Sequence, residues 1–119
     1  MSRPPSPPPP TDAMWRGPSG TAIAPTQVMD VLANGLALLE RDGWDPTLPF
    51  GIHQAIGGND DVRRVAERCL DAIVAYRAGS QWADFEAWER VAGRTFLEVQ
   101  DIMTATGWYA AAAGAGVKS

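Results

Sequence analysis

The chain has 119 residues, a formal net charge of −4 and one cysteine, and it lacks a run of the ~20 apolar residues that a membrane span needs. Those values bound it to one small domain with no intrachain disulfide, and the acidic balance argues against bulk affinity for nucleic acid or anionic membranes. A lone thiol fits a reducing compartment and the N-terminus lacks a secretory pattern, so the cytoplasm is the expected location.

Residues 1–24, MSRPPSPPPPTDAMWRGPSGTAIA, are rich in proline, serine and glycine. Pro7 to Pro10 favour extended polyproline II, and such a segment buries too little to offset its ordering entropy. A disordered proline-rich arm is expected there. Trp15 is the odd residue in it, an aromatic suited to anchoring on the domain or on a partner.

After Pro25, a helix is predicted from Thr26 to Asp42, with Val28, Val31, Leu32, Leu36 and Leu39 on one face. Gly35 inside it costs about 1 kcal/mol against alanine, which points to close approach of another helix. Gly43 followed by Trp44 fits a Schellman ending, in which the tryptophan folds back on Leu39. Gly107-Trp108 repeats the pattern with Met103. Asp45 to Pro49 reads as a turn, and Phe50 to Ile56 as a short helix stopped by Gly57-Gly58.

The strongest helix signal is Asn59 to Ala78. Asn59 is a good N-cap, Asp60 and Asp61 place negative charge in the first turn, and Gly79 supplies the exit. Val62, Val65, Ala66, Cys69, Leu70, Ile73 and Val74 form a wide apolar stripe, as expected of the central helix. Ser80 is positioned to cap a further helix, Gln81 to Val91, with Trp82, Phe85 and Trp88 spaced three apart. Thr95-Phe96-Leu97-Glu98 is a capping box opening the last helix, which turns Phe96, Val99, Ile102 and Met103 inward. The predicted fold is all-α: a compact bundle of four to five helices over residues 25–109, between the arm and a flexible Ala/Gly-rich tail at 110–119.

Little in the chain carries chemistry. His53 and Cys69 are the only candidates for a base and a thiol nucleophile, and Cys69 falls on the apolar stripe. No set of Cys and His ligands suits a closed zinc site, and no glycine-rich phosphate loop occurs. Asp60 with Asp61, and Glu86 with Glu89, read as solvated acidic faces. Arg63, Arg64 and Arg68 cluster on the central helix, but their spacing pairs Asp60 with Arg64, Arg63 with Glu67 and Arg68 with Asp71. The sequence therefore predicts no catalytic residue, metal or cofactor. It predicts a small non-catalytic protein whose partner is another protein, a host factor or a second copy, contacted through Trp82, Phe85 and Trp88, with Trp15 as a further contact. The alternative is a DNA-binding or transcription-modulating helical protein using the arginine cluster. A third reading is a small-molecule-binding or hydrolytic protein using His53.

The order of features also resembles a family. Leu38-Leu39-Glu40-Arg41-Asp42-Gly43-Trp44, an Ala55-containing segment, a long helix, then Trp88, Gly93-Arg94-Thr95 and Val99 resemble small actinobacterial and actinobacteriophage proteins grouped as a domain of unknown function, DUF6197. Members tend to show an LL…GW segment, a C-x-x-G-A segment and a WND…RT…EV…L ending. The resemblance spans residues 27–106. Here Trp88-Glu89-Arg90 stands in place of Trp-Asn-Asp, and the segment around Ala55 lacks the cysteine. The resemblance implies a helical fold and an origin in an actinobacterial phage or its host, without a mechanism.

Overall fold

The computed structural model describes residues 15–45, 51–80 and 83–116. Asn59 is the clearest starting point. Its side-chain oxygen accepts hydrogen bonds from the backbone N–H of Asp61 at 2.9 Å and Val62 at 3.1 Å. This cap opens the long helix Asp60–Ala78. Gly79 ends it in the left-handed conformation, with Ser80 N donating to Ala75 O at 3.0 Å and Gly79 N to Tyr76 O at 3.3 Å. That bond pair is a complete Schellman motif.

In chain order, the helices among the described residues are α1 (Pro25–Asp42), α2 (Ile52–Ala55), α3 (Asp60–Ala78), α4 (Phe85–Glu89) and α5 (Phe96–Gly116). An all-α bundle is the architecture, as the periodicity predicts. Glu40, late in α1, contacts Gln100, early in α5, and Arg77 at the end of α3 pairs with Asp101. Both α1 and α3 therefore run antiparallel to α5. Val28, Leu32, Val65, Leu70, Val99 and Ile102 lie in the core between the three long helices.

Several local expectations change. Gly43 has positive φ but an extended ψ of 144°, so the chain leaves α1 instead of curling back, and Trp44 is carried away to α4 and α5. Gly107 does not end the last helix, which continues to Gly116. The alanines at 110–113 are the strongest helix formers and offset the roughly 1 kcal/mol cost of one internal glycine. Trp108 then points outward. Asp84 caps α4, accepting from Ala87 N at 2.7 Å, in place of Ser80. Asp71 accepts from Phe85 N at 2.9 Å, which fixes where α4 begins.

The folded chain also starts before residue 25. Residues 15–23 make a turn closed by an isolated antiparallel bridge between Arg16 and Ala22. Ile23 N donates to Trp15 O at 2.7 Å, and the Ile23 side chain enters the core. Ser19 seats the turn on α3: its N–H donates to Asp61 Oδ1 at 3.0 Å and its hydroxyl to Oδ2 at 2.6 Å. Arg68 adds a bond to Arg16 O at 2.7 Å. The proline tract at residues 1–14 lies outside the described residues, as do residues 46–50, 81–82 and 117–119.

Gly35 bears out the close approach that its position predicts. A Cβ placed there would sit 2.7 Å from Ile56 Cγ2 and 3.3 Å from Ala55 O. Ile56 is fully buried and cannot give way easily. Gly35→Ala is expected to lose about 1 kcal/mol of stability, overpacking outweighing the gain in helix propensity. In urea melts, Ile56→Ala should then cost less in the Gly35→Ala background than in wild type. Additive costs would show that the two side chains do not meet.

Candidate functional site

Of the four aromatic residues predicted to form a contact surface, three are described. Phe85 is only 2 % exposed and belongs to the core, which corrects its assignment to a partner surface. It turns inward because Asp71 holds its backbone N–H against α3. Trp88 is half-buried, and the Arg94 guanidinium lies 4.0 Å above its ring. Arg94 also donates to Trp88 O at 2.9 Å and to Glu98 at 2.7 Å, so this cation–π stack ties the end of α4 to the start of α5. Trp15 is half-buried against the core. Trp82 lies outside the described residues. The arrangement does not bring the three described residues, Trp15, Phe85 and Trp88, into one open aromatic patch.

Two carboxylates that read as surface groups are buried. Glu89 is 5 % exposed, and its Oε2 accepts from Trp44 Nε1 at 2.7 Å and from Ile52 N at 2.9 Å. Burial holds its carboxyl above the usual range, and the two hydrogen bonds oppose that shift. The available signal was the spacing: Glu89 follows core Phe85 by four residues and shares its face. Glu67 is 4 % exposed, and one of its oxygens is bound to His53 Nδ1 while the other lies 3.7 Å from Arg64. Arg63 leans back to Asp60 at 3.2 Å. The arginine pairing is thus i,i+3 where i,i+4 is expected for Arg63 and Arg64, because Glu67 turns inward toward His53.

His53 and Glu67 form an oriented imidazole–carboxylate pair, but an oriented base needs a nucleophile and room for a substrate. Cys69 does not supply the nucleophile. It is fully buried, and burial pushes its thiol up to about 12. A recess of about 240 Å³ is lined by Leu38, Leu39, Gly51, Gln54 and Ala55, without His53.

The outer side of α5 is different in kind. Leu97 is 76 % exposed and Trp108 is 73 % exposed, the most exposed large apolar side chains described. Eleven residues are three helical turns, so the two share one face about 16 Å apart along the axis. Asp101 and Thr104 lie between them, also exposed. Sequence reasoning missed this face because it assigned Trp108 to a helix ending that does not form.

The buried Glu89 carboxylate yields a stability test. Its folded-state titration lies above the unfolded value of about 4.3, so within that window the folded protein binds more protons and stability falls as pH rises. Glu89→Gln retains an oxygen for both donors. Unfolding free energies measured against pH should shift in favour of wild type, relative to Glu89→Gln, as pH falls through the window. Trp44→Phe, which removes one donor, should cost about 2 kcal/mol at neutral pH.

No protein-family model, curated protein or solved structure matches the chain.

Proposed function

We propose that the chain is a small non-catalytic protein that works by binding protein, and that its contact surface is the outer face of α5. The observation that carries this reading is the pair Leu97 and Trp108, both about three-quarters exposed on one helical face. Large apolar side chains are costly to leave in water, and tryptophan is enriched among the residues that dominate binding energy. The neighbouring chemistry supports a binding role. Cys69 is sealed in the core, Glu67 is engaged by His53 and Arg64, and the arginines of α3 are held by Asp60, Glu67, Asp101 and the Arg16 carbonyl.

A photo-crosslinking amino acid at position 104 tests the surface against a control at exposed Ala37 on α1. Crosslinks to protein are expected at 104 and not at 37. Trp108→Ala should weaken that capture about 30-fold while leaving thermal unfolding unchanged, as for truncation of an interface hot spot. Equal labelling at both positions would remove the reading.

A further inference from the structure

We infer that the partner of the α5 face is a second copy of this chain, with the two α5 helices packed antiparallel about a twofold axis. The inference rests on the reading of that face as the contact surface.

The sequence of the face supplies the first argument. Leu97, Asp101, Thr104 and Trp108 fall within an arc of about 60° at 100° per residue. In a twofold interface, contact of one residue with a second implies the reverse contact as well. Placing Leu97 opposite Trp108 of the second copy sets a register in which Asp101 falls opposite Thr104. The stripe is therefore complementary to itself when reversed. Each tryptophan covers a leucine, and each carboxylate meets a hydroxyl instead of another carboxylate. The same register brings Ala112 over the turn at Gly93, two positions without bulk, so the helix ends do not collide.

Charge is the second argument. Two copies of a chain with net charge −4 repel each other. Asp101 is the only charged residue on the stripe, and it is paired with Arg77. The face thus enters the contact locally neutral. The third argument is the composition of the helix. Its 21 residues carry two acidic side chains, Glu98 and Asp101, and no basic one, so apolar residues occur on all sides. A helix of that pattern is normally covered all round. Among the described residues, α1 and α3 cover its inner sides and the outer side is left open.

The exposed parts of Trp108 and Leu97 supply roughly 300 Å² per copy, against about 800 Å² in a standard interface. The dimer is consequently weak and dissociates on dilution.

Sedimentation velocity of the full chain from about 1 μM to about 300 μM reads the association directly. The expected mass rises from 12.7 kDa toward twice that value. Leu97→Lys and Trp108→Glu should each hold the chain monomeric at the highest concentration, with unchanged circular dichroism. The double variant Leu97→Lys/Trp108→Glu places each lysine opposite a glutamate of the second copy and should recover the dimer. Single-variant loss without recovery in the double overturns the antiparallel register. A wild-type monomer throughout overturns the second copy as partner, and crosslinking at position 104 to other proteins would still uphold the α5 surface. A dimer indifferent to both single variants overturns the register and the α5 surface together.

Discussion

The carboxylate of Glu89 is the contact on which the arrangement of the small elements depends. One oxygen accepts the indole N–H of Trp44 from the exit of α1 and the first backbone N–H of α2. A four-residue helix such as α2 has no stability of its own, because nucleation costs more than one turn of hydrogen bonds returns. It exists where it does because α4 presents an acceptor to its free N–H. Asp71 plays the corresponding part for α4, reaching from α3 to the N–H of Phe85. Buried Glu89 and half-buried Asp71 thus fix the positions of the two short helices, while apolar stripes fix the three long ones.

This division explains how much could be read from the sequence. The limits of α1 and α3, the cap at Asn59, the exit at Gly79 and the box at Thr95 and Glu98 rest on groups within a few residues of one another. Gly35 was legible for a similar reason, since a glycine within a helical pattern asks for a neighbour. The i+4 spacing from Phe85 marks the face of Glu89 but not its partners, and Glu89, Glu67 and the turn at residues 15–23 depend on partners 14 to 52 residues away, which no local rule supplies. The candidate surface was missed for a sharper reason. Gly43-Trp44 and Gly107-Trp108 look alike as dipeptides, but one precedes a stretch with prolines at 46 and 49 and the other an alanine run. The following residues decide whether the helix stops.

α5 therefore combines two roles that usually fall to different helices. Its inner sides carry Val99, Ile102, Met103 and Ala110 into the core, and Thr106 satisfies its hydroxyl on Ile102 O at 2.7 Å without leaving that core. Its outer side offers apolar area with a single, paired charge. Stability asks for the first and not the second. A surface of that kind persists in a folded chain at the risk of association, which is the reason to read it as used.

Cys69 has a further consequence. It is the sole thiol, fully enclosed between α3 and α5 beside Tyr109, and burial makes it a poor nucleophile while the protein is folded. A thiol reagent can reach it only when those helices separate. Its labelling rate is therefore a clock for opening of the native core, built into the natural chain at one known position. Because the clock sits on the inner side of α5, it reads the integrity of the scaffold independently of whatever covers the outer side.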